Sequence, residues 1–215
     1  MQLKNMGYQR PKYPKQTWVV CTHPFATFIP SNATKLIIGT FPTHQKNYES
    51  TFKFYYGGEE NRFWKVLERV FNYTFEYTTG IAALEERENF LVERKIGITD
   101  MLQMCYRQNG NSQDKHLSPI ILRDVFGFLE KFPLIEKIIL TSRTEVYGAL
   151  GLLYTYFMQQ GRELKKATER SGRILETSFL FGSKTIKVLV PHSTSPSNDH
   201  VTFNELVKMY ETCLS

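Results

Sequence analysis

Branched apolar residues bunch at Leu36, Ile37 and Ile38 and stop abruptly at Gly39-Thr40-Phe41-Pro42. That pattern predicts a buried strand whose carboxyl end feeds a loop. Beyond a polar and aromatic stretch, Phe63, Val66, Leu67, Val70 and Phe71 recur at helical spacing. The unit therefore reads as strand, long loop and amphipathic helix. In an open α/β sheet, loops at strand carboxyl ends are where ligands bind.

The same reading continues along the chain. Residues 81–94 carry Leu84, Phe90 and Leu91 amid Glu and Arg and predict a second helix; a third is expected over 122–132 through Val125, Phe126 and Leu129. Ile135 to Thr141 predicts another parallel strand. Ser142 with Glu145 then has the form of a capping box opening a helix through Val146, Leu150, Leu153 and Phe157 toward Gly161. Residues 162–173 read as a charged connector, either a solvated linker or a phosphate-facing loop. Residues 178–190 read as a hairpin about Gly182-Ser183, whose second strand ends in Pro191-His192-Ser193-Thr194-Ser195-Pro196-Ser197-Asn198. Thr202 with Glu205 predicts a second capping box and a closing helix with Leu206, Met209, Tyr210 and Cys213 on its core face. Strands alternating with helices imply a three-layer α/β/α sandwich around a short, mostly parallel central sheet.

Composition narrows the class. The chain has 215 residues, 41% hydrophobic and 22% charged, enough for one sizeable core. Residues 1–16 are polar, basic and proline-punctuated, so they are expected to form a flexible arm ahead of a single domain over 17–215. With no apolar run of membrane-spanning length and no apolar core behind Lys4, Arg10, Lys12 and Lys15, no membrane partner is expected. A cytoplasmic location is the expectation, nuclear in a eukaryote. The three cysteines, Cys21, Cys105 and Cys213, lack a CxxC spacing, and neither a metal nor another cofactor is expected. A net charge of +6 and a pI near 9.1 suit a polyanionic partner without requiring one.

The ordered segments IIGTFP, FYYGGEENRFWKVL and VPHSTSPSNDH resemble the signature of the uracil-DNA glycosylase superfamily. The hypoxanthine-DNA glycosylase branch is the nearer match, and mismatch-specific uracil-DNA glycosylases share the NRFWKV segment. The stretch from Gly97 to Cys105 also resembles a segment of that branch. The resemblance spans most of the chain from about His23 onward. It implies a monofunctional DNA glycosylase of base-excision repair: a deaminated base, hypoxanthine or uracil, is flipped out of DNA and its N-glycosidic bond is broken by water, with no lyase step and the protein expected to act as a monomer.

The resemblance also assigns residues. Tyr56 falls where relatives carry the aromatic that stacks on the flipped base, the alternative being an apolar loop of Phe52, Phe54, Tyr55 and Tyr56 packed on the sheet. Gly39, Thr40 and Phe41 are placed against the base, with the N–H groups of Thr40 and Phe41 offered to its carbonyl oxygen. Phe41 stands where most of the superfamily has a water-positioning Asn or Asp. Catalysis then falls to Asn61, as in the hypoxanthine branch; its other reading is a helix cap. His192 stands where that branch has Pro, and reads either as a donor to the leaving base or as a structural histidine. Ser193, Thr194, Ser195, Ser197 and Asn198 correspond to the loop that grips DNA, against the reading of a serine-rich turn. Two further departures are Thr43 in place of Gly after Pro42, and Gly57-Gly58-Glu59-Glu60 before Asn61. Carboxylates there oppose phosphate but complement a helix N-terminus. A non-catalytic nucleic-acid or nucleobase-binding module on the same fold is the alternative function. An esterase built on Ser195 and His192 is excluded because the G-x-S-x-G elbow is absent.

Overall fold

The computed structural model describes residues 17–108 and 111–215. The basic arm expected over 1–16 lies outside the described residues. Strands β1 (Trp18–Thr22), β2 (Lys35–Gly39), β3 (Ile96–Asp100), β4 (Leu102–Gln108), β5 (Leu117–Leu122), β6 (Lys137–Leu140), β7 (Thr168–Arg170), β8 (Ile174–Phe181) and β9 (Lys184–Val190) form two sheets. The helices are α1 (Phe63–Phe71), α2 (Gly80–Glu93), α3 (Val125–Lys131), α4 (Ala149–Gln159) and α5 (Phe203–Leu214).

The central sheet has the order β3-β2-β6-β9-β8-β7. Its first four strands are parallel, with Ile37 opposite Ile98, Ile38 opposite Leu140 and Ile139 opposite Leu189; β8 and β7 complete it antiparallel. Because successive side chains point to opposite faces, the branched runs feed two cores. Leu36, Ile38, Ile138, Leu140, Val188 and Val190 pack with α3 and α4, whereas Ile37, Ile139, Leu189, Ile96 and Ile98 pack with α1, α2 and α5. This is the three-layer α/β/α sandwich the sequence predicted. No described helix is long and apolar enough to cross a membrane.

Two local expectations are corrected. The connector over 162–173 contributes the exposed edge strand β7. The box expected from Ser142 and Glu145 does not form: α4 opens at Ala149 with Gly148 as its cap, because the Ser142 hydroxyl donates to Asp114 instead. The box at Thr202 and Glu205 is present, and Leu206, Met209, Tyr210 and Cys213 are buried along α5. The sequence reading missed the small antiparallel sheet β1-β4-β5, whose Leu102, Cys105 and Leu117 join the core on the α3 and α4 side.

Candidate active site

The parallel strands all end on one side, and there the loops after β2, β6 and β9, with the last residue of β3 and the segment between β4 and β5, enclose a cavity of about 810 Å³. A cavity of that size sits within the ordinary range for small-ligand sites and at a place where open α/β sheets bind ligands. Gly39 makes its floor possible. A Cβ there would collide with the Asp100 carboxylate and the Tyr56 hydroxyl, so both polar groups lie directly over the end of β2.

Tyr56 is the aromatic of the floor. Its ring stacks on Phe63, the first residue of α1, with centroids 4.1 Å apart and planes at 24°, and its hydroxyl is 2.8 Å from Thr141 Oγ1 at the end of β6. Its backbone has φ of 55°, unusual for a bulky residue, so packing around the ring holds it in place. Burial, with Asp100 nearby, pushes its phenol well above the ordinary range, so the ring is neutral. Neighbouring Tyr55 is turned into the core, with its hydroxyl donating to Ala26 O at 3.1 Å.

Asn61 joins the two signature loops. Its Oδ1 accepts from Phe63 N at 3.0 Å, satisfying one free amide of the helix start, and from Thr194 Oγ1 at 3.0 Å in the loop after β9. Both lone pairs of that oxygen are thereby engaged, while Nδ2 has no partner among the described residues and Asn61 lines the cavity. Asn61 is therefore equipped to donate to a ligand and not to accept from water. Arg62 reinforces the joint, donating to the carbonyls of Asn198 at 2.7 Å, Val201 at 3.1 Å and Ser195 at 3.3 Å.

Thr40 and Phe41 also line the cavity. The Phe41 ring lies between His23, edge-on at 5.4 Å, and the Arg107 guanidinium at 5.3 Å, and Arg107 binds the Pro42 carbonyl. Of the loop after β9, Ser193, Thr194, Ser195, Ser197 and Asn198 all border the cavity. Two of these differ from expectation. Thr194 is buried with its hydroxyl spent on Asn61, and the Asn198 amide donates to Ser193 O at 2.8 Å, so these side chains build the loop. The hydroxyls of Ser195 and Ser197 lie 2.9 Å apart at the surface.

His192 is corrected as a donor. It does not border the cavity, and Arg143 Nη1 donates to its Nε2. Burial, then the charge of Arg143, lowers its pKa, holding the imidazole neutral with that nitrogen occupied.

Two residues escaped the sequence reading. Asp100, at the end of β3, is buried and accepts from His23 Nε2 at 2.8 Å, an arrangement that fixes the carboxyl against the floor. An acidic residue closing the apolar run of β3 was the available signal. Asp114 accepts on Oδ2 from Thr40 Oγ1 and Ser142 Oγ, each at 2.9 Å. Its partners come from β2 and from the segment after β6, and no local pattern marks it. Among the described residues no cluster of His, Cys, Asp and Glu is arranged to hold a metal ion.

No family model matches the chain, and no curated protein matches it. Among solved structures it is similar to the solution NMR structure of a candidate uracil DNA glycosylase from Methanosarcina acetivorans. The two share 18% identity and a TM-score of 0.59, over 91% of this chain and 97% of that one. The likeness shows a common fold.

Proposed function

We propose that this protein is a monofunctional DNA glycosylase that hydrolyses the N-glycosidic bond of a flipped deaminated base, hypoxanthine or uracil. The observation that carries the reading is the composition of one cavity floor: an aromatic platform, Tyr56 on Phe63, beside an acceptor carboxyl, Asp100, and the donor amide of Asn61. Every base has a π-face for such a platform. Deamination converts a ring nitrogen that accepts into an N–H that donates, next to a new carbonyl. A carboxyl oxygen and an amide N–H match that edge and meet adenine or cytosine with acceptor facing acceptor, an unpaired arrangement that costs binding. Both floor groups are held by second contacts, His23 on Asp100 and Phe63 N with Thr194 on Asn61, as preorganised stabilisation of a developing charge requires. The hydroxyls of Ser193, Ser195 and Ser197 at the mouth suit phosphate oxygens. The described solution structure of the Methanosarcina protein, itself assigned as a candidate uracil DNA glycosylase, lends support through its fold.

Single-turnover incubation with duplexes carrying one uracil, hypoxanthine, xanthine or mismatched thymine, with free base detected directly, tests the reading. Release of free uracil or hypoxanthine is expected. Tight binding to such duplexes without release from any would identify a binding module.

A further inference from the structure

The two carboxyls of the floor are held differently. Asp100 is paired with a buried histidine, whereas Asp114 meets only hydroxyls, both on one oxygen, Oδ2. Its other oxygen, Oδ1, has no partner among the described residues, and the residue lines the cavity. A carboxylic acid whose Oδ2 already receives two hydrogen bonds carries its proton on the remaining oxygen. That oxygen is the one left for a ligand.

Carboxyls on a cavity floor also discriminate between leaving groups. A pyrimidine such as uracil departs as an anion, which ionised carboxyls nearby repel. A purine can depart neutral, provided that an acid protonates its ring as the bond to the sugar breaks. From this geometry we infer that Asp114 is the general acid that protonates the ring of a departing purine, and that the cavity is thereby tuned to hypoxanthine over uracil. The inference rests on the glycosylase reading of the same cavity. In the step itself the C1′–N9 bond breaks and its electron pair goes to the base. The Asp114 Oδ1 proton moves to a ring nitrogen, N7 or N3, water bonds to C1′, and the proton that water loses passes to solvent. The base leaves neutral and Asp114 is left as carboxylate, to be reprotonated from solvent.

The surroundings suit the role. Burial raises the Asp114 carboxyl to about 6, against the hydroxyls of Thr40 and Ser142, which favour the charged form. Asp100 pushes the same way and Arg107 opposes it. Tyr56 faces the same floor as a neutral phenol, and Lys46 and Lys115 border the cavity. A poise near 6 makes the acid available close to neutrality.

The test compares the parent with Asp114→Asn, which keeps an acceptor for Thr40 and Ser142 but has no acidic proton. Single-turnover release of hypoxanthine and of uracil is followed from pH 5 to pH 8. Binding to a duplex bearing 2′-fluoro-2′-deoxyinosine, which resists cleavage, reports the integrity of the site. For the parent, hypoxanthine release should fall as pH rises through about 6. Asp114→Asn should lose that limb and on the order of 100-fold in hypoxanthine release, the lower scale of general acid catalysis, while analogue binding changes little and uracil release, relieved of one repelling carboxyl, rises. Duplexes with 7-deaza- and 3-deazahypoxanthine identify the protonated nitrogen, since the parent should fail on one of them. Equal losses for both bases, an unchanged pH profile, or a parent that releases uracil alone would overturn the role of Asp114 and leave the glycosylase reading standing. A parent that releases neither base would overturn the glycosylase reading itself.

Discussion

The floor of the cavity and the loop after β9 border the same space but are built on different scales. On the floor, hydrogen bonds join residues far apart in sequence: Thr40 to Asp114, Tyr56 to Thr141, His23 to Asp100, with separations of 74, 85 and 77 residues. In the loop, Ser195 N donates to Ser193 Oγ, Ser197 N to Ser195 Oγ, and Ser195 and Ser197 share a hydroxyl contact, all two residues apart. Contacts fixed by the whole fold hold groups to a geometry that solvent cannot relax, which is the condition for stabilising a transition state. Local bonds in an exposed turn are cheaply exchanged for bonds to phosphate or water. On the proposed function the difference implies a division of labour, in which the floor would handle the base and the loop would grip the backbone. Asn61 and Arg62 are the hinge pin between them.

The sharpest way to break that division is Asn61→Asp. The new carboxylate still accepts from Phe63 N and Thr194 Oγ1, so the joint and the thermal midpoint should be kept. The cavity loses its N–H donor, and single-turnover base release should fall on the order of 100- to 1000-fold. A parental rate, measured by rapid quench, would reduce Asn61 to a cap. Next in size is Tyr56→Ala, expected to weaken binding to a duplex carrying an uncleavable base analogue by roughly 1–3 kcal/mol. Filter or fluorescence titration checks it, and Tyr55→Ala, which empties a core site, should chiefly lower stability instead.

The smallest of these effects concerns folding. The Asp114 carboxyl sits at about 6 in the fold against an ordinary 3.8, so the folded state binds the proton more tightly. Its contribution to stability therefore falls as pH rises from about 4 to about 6 and stays lowered above that. Asp114→Asn should accordingly raise the thermal midpoint relative to the parent at pH 7.5, with the gap closing at pH 4.5. A floor group that destabilises the fold at neutral pH while serving the chemistry is the usual trade at active sites. A gap that does not change with pH would show Asp114 to be an ordinary solvated carboxylate, and a reversed gap would show its charge to stabilise the fold.

The strand, loop and helix from Leu36 to Phe71, the hairpin about Gly182 and the capped closing helix were legible because each is written in local periodicity and capping chemistry. Tyr56, singled out by the resemblance, borders the cavity. The small sheet was not legible: β1, β4 and β5 read Trp-Val-Val-Cys-Thr, Leu-Gln-Met-Cys-Tyr-Arg-Gln and Leu-Ser-Pro-Ile-Ile-Leu, with weak alternation and partners as far apart in sequence as Trp18 and Gln108 for β1 and β4. Ser142 shows why local rules fail at a site. Its spacing from Glu145 satisfies a capping box, yet a carboxylate 28 residues away takes the hydroxyl. His192 is decided similarly at long range, since Arg143, from another loop, binds its Nε2 away from the cavity.

On the proposed function the floor recognises a deaminated edge, and the base that carries it is released. The most direct measurement places hypoxanthine and adenine in turn at one position of one duplex, incubates each with excess protein, and quantifies free base over time. The two differ at the edge by one ring N–H and a carbonyl against a bare ring nitrogen and an amine. Release of hypoxanthine in a single exponential with adenine retained is the predicted result. Comparable release of both, or of adenine alone, would contradict it.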